Sequence, residues 1–482
     1  MKKLIIFSFG LFLSTALFTQ NTFIKTYGGT RIVEGITILE IEDGDFLMAG
    51  NINDHDPWGN HIYLVRTNAH GDTLWTQCHD FDTVWGCANH SVHSMRAIHD
   101  GNYLLTVVFA AENMLVKING EGEILWTENV SPMRDSDGQK GQYGFGLDFR
   151  QCPDLGFVIN IGAYIVKTDS LGIFEWQYHV NNVYYSSPFL HELEISEQGL
   201  IVAAGYIYNP NAGTQEDIFA IAIDPGGNLL WDYVYEDPGT ERCYSICETS
   251  DGFVLASTDG PFGGGNADIR ITKLDYEGNE TWNNTIDNEI GAVTYDIKSL
   301  EDGTFVLTGE ENLNGKNYAM LYKLDAAATV LWKEFFLYDP IIEFHRGLEV
   351  IALEDGGYAV MGTTNDLNFS NMMLIRTDAS GIITSVSEQE IEKPETLCSP
   401  NPFQHQTTIR FNTNESSNLS LTIADISGRV INRSATMELP AGEQSFTWDG
   451  QTSFGTRAYH GTYFYFISNN KDIILTGKLI KQ

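Results

Sequence analysis

Six tryptophans, Trp75, Trp126, Trp176, Trp231, Trp282 and Trp332, follow one another at intervals of 51, 50, 55, 51 and 50 residues. Each closes the same phrase, written most clearly as IRITKLDYEGNETW from Ile269 to Trp282. The first half alternates in side-chain character as a strand does. Asp275-Tyr276-Glu277-Gly278 supplies turn chemistry, since Asp bonds its own backbone and Gly accepts a positive φ. The tryptophan then sits on a second strand. A seventh copy, MLIRTDASGIITS, reaches Ser385 where a tryptophan would stand. A fixed period near fifty residues is the mark of stacked or radial repeats and outranks any local propensity.

A second phrase alternates with the first. It is a turn followed by an apolar strand: DGDFLMAG, DGNYLLTVV, DLGFVINIG, EQGLIVAAG, DGFVLAST, DGTFVLTGE and DGGYAVMGTT, again seven copies. An alternating strand precedes each turn, so each forms a hairpin. Each period thus holds four strands, A to D, with the turn between A and B and the tryptophan on D. Seven four-stranded units predict an all-β chain, a seven-bladed β-propeller. The seventh copy lacks its D strand, and Thr22–Gly29 at the other end supplies one, with Phe23 in the tryptophan position. The ring then closes through the N-terminal strand. An open array is the alternative, and it would leave sheet edges unpaired.

Residues 1–20 read as a signal peptide: Lys2 and Lys3, an apolar run from Leu4 to Phe18, and small residues near a cut. No later apolar run is long enough to span a bilayer, which predicts no transmembrane segment after signal removal. The formal charge of −36 becomes −38 without the two leading lysines. Nucleic acid and anionic membranes are poor partners for such a chain. A divalent cation, a basic partner or a neutral polymer suits it better, unless the acidity serves solubility alone. The six cysteines form no disulfide framework. Cys243 and Cys247 share one A strand, which spaces them roughly 13 Å apart, too far to bond. A Cys78–Cys87 bridge and small buried thiols both remain open.

Residues 21–385 are read as the propeller, 386–397 as a charged linker and 398–482 as a small Ig-like β-sandwich of short alternating strands. This last segment resembles the type A C-terminal sorting domain of type IX secretion. The resemblance rests on Ser399-Pro400-Asn401-Pro402-Phe403, Ser427-Gly428-Arg429, Leu439-Pro440-Ala441-Gly442, Trp448-Asp449-Gly450, Gly461-Thr462-Tyr463-Phe464 and Lys478-Leu479-Ile480-Lys481, in order. Within it Asn401, Pro402, Phe403, Gly461, Tyr463, Lys478 and Lys481 carry the motif. Cys398 stands where that family often has an aromatic. The resemblance implies export across the outer membrane with the type IX machinery as partner, and release or anchoring at the surface. The repeats also resemble those of long proteins sharing that domain, which implies a fold and not a chemistry.

The A–B and C–D turns lie on one propeller face and are short and uniform. The B–C and D–A connections lie on the other and vary in length, which makes that loop face the place to expect recognition. It carries Trp58, Trp85, Tyr143, Tyr184, Tyr185, Phe262 and Tyr338, rings suited to sugar or peptide contact unless they fold down over the core. The A strands should line the central channel. Six residues back from each turn stand Thr37, Ser94, Asp148, Glu192, Ser245, Asp296 and Glu349, with an offset of one open at Asp148 and Glu192. Asp148, Glu192, Asp296 and Glu349 around one axis suit an oxygen-liganded Ca²⁺; a solvated polar wall is the alternative. His79, His90, His93 and His99 are near in sequence but belong to different strands, so a shared zinc site is not expected. Asp135-Ser136-Asp137-Gly138 lacks the later Glu of a calcium loop. No nucleophile elbow, zincin helix or phosphate loop occurs. The D-x-x-G-x-x-x-W phrase resembles the docking repeat of quinoprotein dehydrogenases, with the Asp–Gly spacing one residue short, seven units instead of eight and no adjacent cysteine pair. The reading that follows is a secreted or surface binding and adhesion module. The alternatives are an enzyme using channel carboxylates (quinoprotein-like dehydrogenase, or a polysaccharide lyase or hydrolase) and a structural repeat without a ligand.

Overall fold

The computed structural model describes residues 21–29, 31–53, 60–79, 90–109, 112–133, 146–180, 186–209, 215–237, 239–260, 267–286, 291–338, 342, 344–365, 370–383, 397–413, 417–425, 429–440, 442–453, 455–468 and 473–481. The chain divides into two compact units, Met1–Val386 and Ser387–Gln482. Among the described residues, none lies in an α-helix, and no helix is long and apolar enough to cross a membrane.

Among the described residues, the strands of the first unit fall into seven four-stranded antiparallel blades. Blade one runs through Ile32–Glu40, Phe46–Asn53, His61–Thr67 and Thr73–His79, each strand pairing with the next. Blades two to six repeat the pattern from inner strands His90–Ala97, Gly146–Gln151, Ser186–Ile195, Glu241–Thr249 and Ala292–Ser299. Blade seven takes three strands, Phe344–Ala352, Tyr358–Asn365 and Ser370–Thr377, from one end of the unit and its outermost strand, Phe23–Tyr27, from the other. Phe23 pairs with Arg376 as Trp75 pairs with Arg66 and Trp282 with Lys273, so it occupies the tryptophan position expected of it.

The burial of each strand follows its place in the blade. Phe46–Asn53 is buried at seven successive positions, because both its faces meet neighbouring blades, whereas the outermost Thr73–His79 alternates between exposed and half-buried. Apolar side chains therefore form cores between blades. Leu47 and Leu64 pack with Met95 and Leu105 across blades one and two, and the same arrangement recurs at each junction around the unit. Phe46 and Met48 with Met361 and Leu374 complete it across blades seven and one.

The tryptophans act at these junctions. Each ring lies on the turn of the following blade, where a glycine at positive φ leaves room. A β-carbon added at Gly278 (φ +82) would stand 2.5 Å from the Trp231 ring, and one at Gly381 (φ +77) 2.5 Å from Trp332. Trp231 also donates its Nε1–H to the Tyr276 carbonyl at 2.9 Å. Phe23 meets Gly71 in the same way. Blade six departs, with Ala328 at φ +59 in the glycine position, buried beside Trp282. The tryptophan phrase is thus interblade packing.

The second unit holds a three-stranded sheet (Leu397–Ser399, Thr407–Thr413, Gly442–Trp448) and a second sheet built on Ser417–Asp425, Gly461–Ser468 and Ile473–Lys481. Its core gathers Ile409, Phe411, Leu421, Ile423, Phe446, Trp448, Tyr465 and Ile467. Most motif residues have packing roles here. The Asn401 side chain donates to the Lys478 carbonyl at 2.9 Å and accepts from the Ile480 amide at 2.8 Å, and the Phe403 amide donates to the Ile480 carbonyl at 2.9 Å. Phe403 is buried beneath Lys481, whose ammonium lies 5.9 Å from the ring centroid. The Tyr463 hydroxyl donates to the Tyr459 carbonyl at 2.8 Å. Pro402 is exposed, Gly461 opens a strand at φ +156, and Lys478 points to solvent.

Candidate functional site

All seven inner strands carry a β-bulge at the same place. One residue is skipped in the pairing with the second strand, and the next pairs normally: Thr37, Ser94, Asp148, Glu192, Ser245, Asp296 and Glu349. This settles the open offset at Asp148 and Glu192 and puts all seven polar residues in one register. A bulge re-aims the residues on either side of it, and here it produces two layers with different chemistry.

The inner layer fastens blade to blade. Glu349 Oε2 accepts from the Ile38 amide at 2.8 Å, Asp296 Oδ2 from Val350 at 2.9 Å, and Glu192 Oε2 from Ile246 at 3.1 Å. Ser245 Oγ accepts from Ile297 at 3.1 Å and Asp148 Oδ2 from Leu193 at 3.4 Å. Thr37 donates to the Met95 carbonyl at 3.5 Å. In every case the partner is the next blade. The four carboxylates do converge, and all are buried. Three side chains two positions further along the inner strands, Arg96, Arg150 and Lys298, supply countercharge. Arg96 reaches Glu349 at 3.0 Å and Asp148 at 3.2 Å, Arg150 reaches Asp148 and, at 3.1 Å, both Glu192 and Glu194, and Lys298 reaches Asp296 at 2.6 Å and Glu192 at 3.2 Å. Burial alone would raise the Glu192 carboxyl, but Lys298, Arg150 and Arg96 overcome it and hold the group well below the usual range. Asp296 is raised by burial, with Glu192 and Glu349 adding to it against Lys298. Five carboxylates face three cations, so the floor keeps an excess of negative charge. Among the described residues, no three His, Cys, Asp or Glu are grouped to hold a metal ion. The carboxylate oxygens already serve amides, Ser245, arginines and a lysine.

The skipped residues form the second layer, on the side of the B–C and D–A connections. His191 and Tyr244 rings are 4.8 Å apart, and Tyr244 meets Tyr295 edge-on at 5.5 Å. Phe189 lies 4.9 Å from His191 and stacks on Tyr206 at 5.5 Å. Arg242 lies over Tyr206, 5.3 Å from the centroid, and pairs with Glu216 at 2.8 Å. These five rings, all half-buried, make an arc across blades four, five and six. Burial lowers His191 to about 3, with Arg242 adding, and His93 to about 4, so both rings are neutral near pH 7. The His191 Nε2 is buried without a hydrogen-bond partner among the described residues. Three rings of the arc and the inner layer frame an open cup of about 110 Å³, lined by His93, Arg96, His191, Tyr244, Tyr295 and Glu349 among others. Its size suits one side chain or part of a sugar rather than a whole small molecule.

Of the ring residues expected on the loop face, Trp58, Trp85, Tyr143, Tyr184, Tyr185 and Phe262 lie outside the described residues. Tyr338 is half-buried against the core of blades six and seven. The arc itself was not foreseen. Its members Tyr244 and Tyr295 sit one residue before the channel register, and only a bulge turns that position toward the channel. The histidines are dispersed: His79 bonds the Gly122 carbonyl at 2.8 Å, His90 stacks on Phe109 at 4.7 Å, His93 lines the channel and His99 is exposed. Cys152, Cys243 and Cys247 are buried thiols.

Residues 400–472 match the family described as the FlgD Ig-like domain. Comparison with curated proteins gives no match. Among solved structures the chain is similar to PorZ, described as an essential bacterial surface component of the type-IX secretion system of Porphyromonas gingivalis (TM-score 0.41, 11% identity, 92% of this chain and 58% of that one). It is also similar to the extracellular domain of BT4673 from B. thetaiotaomicron (TM-score 0.46, 8% identity, 96% and 59%) and to Sqt1 from Chaetomium thermophilum (TM-score 0.48, 9% identity, 75% and 99%). The chain spans under two thirds of the length of the first two. At such identities the similarities concern the fold and say nothing of ligand or location.

Proposed function

We propose that this chain is a secreted or cell-surface binding module that recognises its ligand where the channel opens on the loop face. The observation that carries this is the arc of five half-buried rings, Phe189, His191, Tyr206, Tyr244 and Tyr295, of which His191, Tyr244 and Tyr295 line a small cavity at the channel mouth. Partly exposed aromatic surface stacks on sugar faces and on peptide side chains alike. The channel carboxylates do not favour an enzyme or a Ca²⁺ site here, because their oxygens are committed to holding adjacent blades. The test is a calorimetric and thermal-shift panel of glycans and peptides on the full chain, since a ligand of the folded state raises its melting temperature by mass action. A ligand found this way should lose affinity in the Tyr244→Ala/Tyr295→Ala double variant; unchanged affinity sinks the site.

Residues 1–20 serve in this reading as the export signal and 398–482 as the type IX sorting domain. The Ig-like match and the ordered motif support that role. Pro402 and Lys478 are among the motif residues exposed to solvent and so available to the machinery. In a type IX-competent host, removal of 398–482 should leave the chain in the periplasm. Arrival at the surface without it would refute the assignment.

A further inference from the structure

The hairpin face departs from repetition in one blade. In six blades the first two strands are joined over five residues, as between Glu40 and Phe46, Ser299 and Phe305, and Ala352 and Tyr358. In blade five Glu248 pairs with Phe253, with only four residues between them, and Thr249 pairs with Gly252 in a two-residue turn. The sixth and seventh blades place Leu300 and Leu353 at the start of this connection, each closing it with a bond to the residue four further on. Blade five has no such residue to spare. Its other turn is also unusual: Tyr276 stands where the remaining blades have Ala69, Gly120, Ser170, Pro225, Ala326 and Ala379. The Tyr276 hydroxyl crosses to Glu248 Oε1 at 2.8 Å and to the Thr249 carbonyl at 2.9 Å. Below this short turn, reaching to blade six, lies a cavity of about 830 Å³. That is within the range of small-molecule sites, and far larger than the cup at the opposite mouth.

The lining has a definite chemistry. Its two lysines are already paired, Lys273 with Asp251 at 2.6 Å and Lys298 with Asp296 at 2.6 Å. Glu197, Glu248 and Glu301 also line it; the Glu248 carboxylate accepts from the Glu197 amide at 3.1 Å and from the Tyr276 hydroxyl, but among the described residues no lysine or arginine forms an ion pair with any of the three. Tyr276, Trp282 and Phe305 supply ring surface in the same cavity. Carboxylates without countercharge beside aromatic faces attract a cation that also has an apolar body. We propose that the cavity under the fifth hairpin binds a small organic cation, an amine on an apolar or aromatic body, independently of recognition at the channel mouth.

Three probes sharing one ring and differing in charge test this on the full chain by isothermal calorimetry: phenethylamine, 2-phenylethanol and phenylacetate. Phenethylamine should bind with a saturable heat and the other two should not. Glu248→Gln/Glu301→Gln should weaken phenethylamine by about tenfold or more, the scale of a lost charge-assisted contact. A leucine inserted between Glu248 and Thr249, restoring the five-residue connection, should abolish binding. Tyr244→Ala/Tyr295→Ala at the channel mouth should leave it unchanged, which separates failure here from failure there. Equal binding of amine and alcohol, binding indifferent to the glutamine pair, or no amine heat at about 10 mM, well above any specific affinity, overturns the proposal.

Discussion

Replacing Glu349 with alanine tests whether the channel residues fasten blades together. Glu349 is 8% exposed and makes two contacts across the ring. Its Oε2 accepts from the Ile38 amide at 2.8 Å, at the seam where blade seven meets blade one, and its Oε1 from Arg96 at 3.0 Å. Alanine leaves the amide buried and unpaired, at a cost of about 1–3 kcal/mol. Arg96 keeps Asp148 at 3.2 Å and Glu192 at 3.6 Å, so the loss on that side stays well under the ~3–5 kcal/mol of a wholly broken buried pair. The expected total is about 2–4 kcal/mol. At roughly 1.3 °C per kcal/mol for a unit of this size, the melting temperature falls by about 3–5 °C. Glu349→Gln keeps an acceptor for Ile38 and removes one charge from a floor where carboxylates exceed cations, so it should cost about 1 kcal/mol or less. Thr37→Val removes only a 3.5 Å bond and should cost under about 0.5 kcal/mol. Scanning calorimetry on the full chain ranks the three. A Thr37→Val loss equal to that of Glu349→Ala, or an alanine variant within about 0.5 kcal/mol of wild type, refutes the fastening role.

Gly278→Ala should destabilise by at least the ~1–2 kcal/mol of a left-handed non-glycine residue, because its β-carbon also meets Trp231 at 2.5 Å; calorimetry that shows no loss contradicts the tryptophan–turn packing. Ala328→Gly relieves the same backbone strain at φ +59 and should be neutral or stabilising by up to about 1 kcal/mol. Burial, with Asp259, Asp217 and Asp237 adding, pushes the Glu241 carboxyl up to about 8, and both its oxygens are buried without a hydrogen-bond partner among the described residues. A folded value above the unfolded one means its contribution is full below the unfolded value near 4.5 and is lost as pH rises through about 8. Glu241→Gln should therefore melt increasingly above wild type from pH 5 to pH 9, and a constant gap would contradict this. Burial raises the Cys152 thiol to about 11 and Cys243 to about 12. A thiol reagent at pH 8 should leave both unmodified until the chain unfolds, as mass spectrometry of the labelled peptides can show.

The fold was readable because its signals are local. Alternating strands, Asp-Gly turns and a fifty-residue Trp period each occupy a few contiguous residues. Their repetition also exposed the missing seventh outer strand that Phe23–Tyr27 supplies. The channel register was readable too, down to Glu349 and Asp296, because it is a fixed count from a turn. Its meaning was not, since Arg96, Arg150 and Lys298 lie on different blades and neutralise carboxylates up to hundreds of residues away in sequence. The uniformity expected of the short turns held in six blades and failed in the fifth, where one residue fewer stands between Glu248 and Phe253, beside a cavity that no local pattern in the letters announces.

The sequence by itself determined the blade and its repeat, because hydrogen-bonded neighbours within a blade are, in six blades, neighbours along the chain; the closure was legible only as a missing seventh outer strand, and it pairs Phe23–Tyr27 with Ser370–Thr377 from the far end of the unit. Only the tertiary structure decided which way Tyr244, Tyr295 and Glu349 point. A bulge shifts the facing of the residues around it without leaving a compositional mark. The partners that give those side chains their roles arrive from other blades, brought close by the curvature of the ring and not by anything adjacent in sequence.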